Sequence, residues 1–144
     1  MADNYLEKKY EEFQARKNGA GKKKTNSIHK MRRVFVTGGA DGIGKTIVKA
    51  FRMAGNRVAF CDTNEVLGKE TAEKTGTTFY HADIYDKEAL DNCMRHILQE
   101  WGDLDILINN AGTIGYSPIT ESSVEDFERI LSVNLRSTFL TSRL

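Results

Sequence analysis

Arg33-Val34-Phe35-Val36-Thr37-Gly38-Gly39-Ala40-Asp41-Gly42-Ile43-Gly44 carries the reading that decides the fold. Five strand-forming residues run into a glycine-rich turn. Ile43, Ile47, Ala50, Phe51 and Ala54 then recur at helical spacing, which predicts strand, tight turn and helix in succession. The N-terminus of such a helix leaves backbone N–H groups unpaired and carries partial positive charge, so it favours a phosphate. Gly38, Gly42 and Gly44 are placed to tighten the turn, to let a pyrophosphate approach the backbone and to let helix and strand pack closely.

Outward from this stretch the chain alternates short apolar runs with helical patterns, the signature of βαβ units and a parallel sheet. Residues 58–61 read as a second strand, 64–75 as a weaker helix closed by Gly76, and 77–82 as a third strand. Leu90, Cys93, Met94, Ile97, Leu98 and Trp101 form an apolar helical stripe that Gly102 ends. Residues 104–108 read as an apolar strand buried on both sides. Ser122 with Glu125 predicts a capping box for a last helix bearing Phe127, Ile130, Leu131 and Leu135. The expected fold is α/β, a Rossmann-like doubly wound parallel sheet of about four strands and four helices in the order 3-2-1-4.

Composition sets the outer bounds. With 40% hydrophobic and 28% charged residues, the 144-residue chain is of ordinary globular type. No run approaches the ~18 apolar residues of a membrane span, and the opening residues are too charged for a secretory leader. Cys61 and Cys93 sit in apolar-patterned segments without clustered histidines, so reduced core thiols and a cytoplasmic location are expected. The net charge of +1 is uneven, because residues 1–33 hold 10 of the 21 basic residues but 4 of the 20 acidic ones. Residues 1–30 therefore read as a basic extension ahead of a dinucleotide-binding domain over 31–144. Leu6, Tyr10 and Phe13 in that extension have the spacing of a short amphipathic helix. The run Lys22-Lys23-Lys24 has no interleaved aromatics, so nucleic acid is not the expected partner.

The glycine loop admits a second reading. Gly39 to Thr46 also satisfies G-x-x-x-x-G-K-[ST], a phosphate loop in which Lys45 reaches the β/γ-phosphates, Thr46 holds magnesium and Asp62 is a metal-side carboxylate. Three features favour a dinucleotide. Asp62 ends the second strand twenty residues after Gly42, where an acidic side chain accepts from an adenosine ribose 2′-hydroxyl. A carboxylate there repels a 2′-phosphate, so NAD is preferred over NADP, and Asp41 points the same way. Asp83 and Ile84 end the third strand, beside the place of an adenine ring. Asn109-Asn110-Ala111-Gly112 ends the fourth with small residues that suit close approach of a ligand.

From Arg32 onward the chain resembles the classical short-chain dehydrogenase/reductase family. The matching elements are Thr37-Gly38 with Gly42-Ile43-Gly44, Asp62, Asp83-Ile84, Asn109-Asn110-Ala111-Gly112 and Val133-Asn134-Leu135. The resemblance implies an NAD-dependent oxidoreductase acting on alcohols or ketones. It implies that Gly38, Gly42 and Gly44 cradle pyrophosphate with the Ile43 N–H, and that Asp62 holds the ribose and Asp83 with Ile84 the adenine. Asn110, Ala111 and Gly112 would line the middle of the cofactor and pin the loop. Asn134 would be the auxiliary asparagine that positions a water linked to the catalytic lysine; it reads as buried on an apolar helix face.

The family's serine and Tyr-x-x-x-Lys, placed after this helix, are not met before Leu144. Tyr5 with Lys9 has the spacing but lies ahead of the first strand, and Tyr85 and Tyr116 lack the lysine. The expectation is a truncated dehydrogenase, inactive alone and prone to self-association along the fourth strand. A non-catalytic nucleotide-binding or interaction module is the alternative, and a phosphate-loop hydrolase the third reading.

Overall fold

The computed structural model describes residues 30–143; the amphipathic pattern at Leu6, Tyr10 and Phe13 and the lysine run lie outside them. Four parallel strands form one sheet: β1 (Arg33–Thr37), β2 (Arg57–Asp62), β3 (Thr78–His81) and β4 (Ile106–Ile108). Their order is β3-β2-β1-β4, as the alternating pattern predicts. β1 is central, pairing Thr37 with Cys61 of β2 on one side and Val36 with Ile108 of β4 on the other.

Strand alternation sorts the core into two layers. Val34, Val36, Val58 and Phe60 face one side and pack with Val48 of α1 (Gly42–Met53) and Leu67 of α2 (Glu65–Thr75). Phe35, Ala59 and Cys61 face the other, against Leu90, Cys93, Met94 and Ile97 of α3 (Lys87–Trp101). The stripe read along α3 is the face that the structure buries. Burial of each such aliphatic or aromatic side chain contributes about 1.5–3 kcal/mol.

Several expectations are corrected. In α1 the buried residues are Gly44 and Val48, while Ile43 is 76% exposed and Ala50 and Ala54 lie at the surface. Gly44 must meet the loop backbone, and that contact turns the helix by about one residue, leaving Ile47 and Phe51 half-buried. The fourth strand begins only at Ile106, because the Asp105 carboxylate accepts from Arg33 N at 2.8 Å and Arg33 Nε at 2.9 Å. Its residues are half-buried rather than enclosed, since among the described residues β4 is a sheet edge.

The last helix starts one residue later than the capping box predicted. Ser123, not Ser122, accepts from the Asp126 N–H at 3.1 Å, while Ser122 Oγ donates to the Ser117 and Pro118 carbonyls. Helix α4 (Val124–Leu131) continues through a π-helical turn at Ser132–Arg136 into α5 (Ser137–Ser142). Of its four predicted apolar residues Ile130 is half-buried, while Phe127 at 58%, Leu131 at 42% and Leu135 at 65% exposure are turned outward. Ser137, Leu140 and Thr141 are the residues it buries, and Leu140 joins the α3 side of the core.

Candidate cofactor site

The site grows from the carboxyl end of β1. Gly38 N and Gly39 N donate to the Cys61 carbonyl at 2.8 and 3.1 Å, so the chain turns away from the sheet while still tied to β2. The buried Thr37 hydroxyl accepts from Asn110 N and Ala111 N, both at 3.1 Å. The Asn110 amide returns two bonds, to the Thr37 carbonyl at 3.0 Å and the Gly38 carbonyl at 2.9 Å. The ends of β1 and β4 are thereby stitched together, and the glycine loop is pinned from the β4 side.

Two glycines show what the loop requires. A Cβ on Gly44 would stand 1.8 Å from the Gly38 carbonyl oxygen and 2.6 Å from Asn110 Nδ2, so the first turn of α1 sits directly on the loop. Gly42 is different: its φ is +55° and nothing lies within 4 Å of where a Cβ would be. The outer face of the loop is open where a helix N-terminus presents its unpaired N–H groups. That leaves room beside Gly42 for a ligand to approach the backbone.

Beside the loop, a cavity of about 780 Å³ opens along the carboxyl edge of the sheet. The end of β2 supplies Cys61 and Asp62, and the residues just after β1 and β2 supply Gly38 and Thr63; the segment after β3 supplies Ala82, Asp83, Ile84 and Tyr85. The segment after β4 adds Asn110, Ala111, Gly112 and Thr113, and the last helix adds Arg129 and Val133. Such a volume lies in the range of ligand pockets, about 300–1,000 Å³. Asp62 is half-buried, its Oδ2 accepting from Ala40 N and its Oδ1 from Asn64 N, both at 3.0 Å. Burial pushes the Cys61 thiol beneath it up to about 12, with the Gly38 backbone opposing and the nearby Asp62 charge adding to the rise. Burial likewise raises Cys93, and both thiols are free.

The structure thus brings Gly38, Asp62, Asp83, Ile84, Asn110, Ala111 and Gly112 to one cavity. Gly42, Ile43 and Gly44 lie on the adjoining loop and helix start rather than in its lining. Asn134 is not in the lining and is exposed, which corrects the expectation of a buried asparagine. The π-helical turn presents its amide to the segment after β4. Its Oδ1 accepts from Thr113 N and its Nδ2 donates to the Thr113 carbonyl, each at 2.8 Å. Thr63 and Thr113 were missed although they adjoin Asp62 and Gly112. Val133 belongs to the motif read around Asn134 but was given no role, and Arg129, whose Nη1 donates to Thr113 Oγ1 across 16 positions, carried no local signal. Lys45 and Thr46 do not line the cavity, and the Thr46 hydroxyl donates to the Gly42 carbonyl within its own helix.

Residues 32–144 match the short chain dehydrogenase family. The chain belongs to that family. Sorbitol dehydrogenase of Cereibacter sphaeroides is 34% identical over 106 residues, covering 72% of this chain and 41% of that one. A short-chain dehydrogenase/reductase of Serratia marcescens superposes with a TM-score of 0.74 at 34% identity, over 78% of this chain and 48% of that one. A 3-ketoacyl-(acyl-carrier-protein) reductase of Brucella melitensis, solved in complex with NADH, superposes with a TM-score of 0.73 at 25% identity, over 78% and 47% of the two chains. The chain spans about two fifths of the length of the curated relatives it matches. Short-chain dehydrogenases bind nicotinamide dinucleotides, and membership favours that class of ligand over the phosphate-loop reading of Lys45 and Thr46. Among the described residues no helix is long and apolar enough to cross a membrane, and no cluster of three His, Cys, Asp or Glu side chains could hold a metal.

Proposed function

We propose that this chain binds NAD in the cavity at the carboxyl edge of the sheet, as the cofactor-binding part of an oxidoreductase acting on an alcohol or ketone. The observation that carries the reading is the Asp62 carboxylate, fixed by two backbone N–H groups at the cavity wall. It is an acceptor for ribose hydroxyls and a repellent for a 2′-phosphate. The pyrophosphate would lie over Gly38, Gly42 and Gly44 with the Ile43 N–H, the adenine beside Asp83 and Ile84, and the middle of the cofactor along Asn110, Ala111 and Gly112. Bound there, the nicotinamide ring would supply the hydride acceptor or donor. The NADH complex of the Brucella reductase and the name of the sorbitol dehydrogenase support this reading.

Within these 144 residues no Tyr-x-x-x-Lys follows Asn134. Asn134 would serve as the auxiliary residue beside a tyrosine and lysine of that motif. The two reduced, buried thiols support a cytoplasmic setting. Calorimetry is expected to give saturable NAD binding and NADP binding at least about tenfold weaker, a difference of about 1.4 kcal/mol. Equal affinities would remove the NAD preference, and binding of ATP–magnesium alone would restore the phosphate-loop reading.

The same reading includes self-association. β4 pairs only with β1 among the described residues, and an unpaired strand edge is a template for another chain. Sedimentation velocity should show dimers or larger species as concentration rises. A monomer throughout would exclude pairing along β4.

A further inference from the structure

Ala40, in the middle of the glycine loop, is held at both of its backbone groups. Its N–H donates to Asp62 Oδ2 at 3.0 Å, and its carbonyl accepts from Thr71 Oγ1 at 3.0 Å. Ala40 is 1% exposed and Thr71, midway along α2, is 0% exposed. A threonine in a helix ordinarily turns its hydroxyl to the carbonyl one turn back. Thr71 instead reaches a residue 31 positions earlier. The approach depends on Gly68, one turn before it on the same helix face, where a Cβ would stand 2.3 Å from the Phe79 ring. Without a side chain at that point, α2 lies close enough to the sheet for Thr71 to meet the loop.

Valine would fill the same space as Thr71, so the core does not require a hydroxyl there. The loop does, because a buried carbonyl without a partner is costly. Gly42, whose open face receives the pyrophosphate in the reading above, lies two residues beyond Ala40. We propose that Thr71 is a positioning residue for the cofactor loop: bonded to the Ala40 carbonyl while Asp62 takes the N–H, it sets the loop in its phosphate-binding shape before ligand arrives. Thr71 itself does not line the cavity. This rests on the dinucleotide reading of the same site, and its effect is preorganisation.

The test uses the full 144-residue chain and two probes, ADP-ribose, which carries the pyrophosphate, and adenosine, which does not. Thr71→Val is expected to raise the Kd for ADP-ribose about three- to tenfold, the weight of one ordinary hydrogen bond, while leaving adenosine within about twofold. Thr71→Ser, which keeps the hydroxyl, is expected to restore ADP-ribose binding. Unchanged ADP-ribose affinity in the valine variant, equal weakening of both probes, or no rescue by serine overturns the assignment. So does a valine variant that fails to fold, which would place Thr71 in the core rather than in the loop's service. A wild-type chain that binds neither probe defeats the dinucleotide reading, and the clamp is then judged by amide hydrogen exchange. Exchange at Gly39 and Ala40 that is about three- to tenfold faster in Thr71→Val, with Val34 and Val36 unchanged, supports it. Unchanged exchange at Ala40 overturns it.

Discussion

Asp62→Ala is expected to raise the Kd for NAD about ten- to a hundredfold, read by calorimetry on the purified chain. The carboxylate has two tasks, and alanine ends both. It accepts from Ala40 N and Asn64 N, so its removal leaves the N–H of the buried Ala40 without its partner. It is also the acceptor proposed for the ribose. A hydrogen bond to a charged group contributes about 1.5–3 kcal/mol, which spans the stated loss. Asp62→Asn keeps an oxygen for the Ala40 N–H and should lose less. Because the repulsive charge is gone in both variants, the ratio of NAD to NADP affinity should fall toward one. An alanine variant that binds NAD as tightly as the parent would show that the ribose lies elsewhere.

Gly44→Ala is expected to destabilise the chain by about 3 kcal/mol or more, seen as a lower urea midpoint, or to prevent folding. The added methyl would stand 1.8 Å from the Gly38 carbonyl oxygen and 2.6 Å from Asn110 Nδ2, and the nearest atom is backbone that cannot swing aside. Overpacking a core ordinarily costs about 1–3 kcal/mol, and a clash this close lies at or beyond the upper end. Against a total stability of about 5–15 kcal/mol that is a large share. The same substitution at Gly42 meets no atom within 4 Å and carries only the penalty of φ +55°, about 1–2 kcal/mol. If the two variants were equally stable, the close approach of α1 to the loop would not be what Gly44 serves.

Much of the fold was legible because it depends on local periodicity. Strand boundaries at β1, the closure of α2 by Gly76 and of α3 by Gly102, and the buried stripe of α3 follow from residues near one another in sequence. The failures share a cause. Asp105 reads as part of a strand until Arg33, 72 positions away, claims its carboxylate. The stripe of α1 is displaced because Gly44 answers to Gly38 and Asn110 rather than to the sheet alone. Ser122, with Glu125 three residues on, has the pattern of the cap, but the turn at Ser117 and Pro118 takes its hydroxyl and Ser123 caps the helix instead. Phe127, Leu131 and Leu135 are spaced for burial, yet nothing in helical spacing states which way the face will point.

The sequence by itself determined the order of strands and helices, the phosphate-favouring loop at the first strand–helix junction, the acid at the end of β2 and the family. Each of these is written in residues within a turn or a strand of one another, where periodicity and backbone conformation act. The resemblance implied that Asn110, after β4, pins the loop, and it does; only the tertiary structure showed the loop held also by Asp62 from β2 and by the Thr71 hydroxyl from α2. It also showed Asn134 exposed and spent on the backbone of Thr113. Those partners stand 21 to 72 positions apart in the chain. A hydrogen bond needs atoms within about 3 Å, and only packing the helices onto both faces of the sheet brings them there.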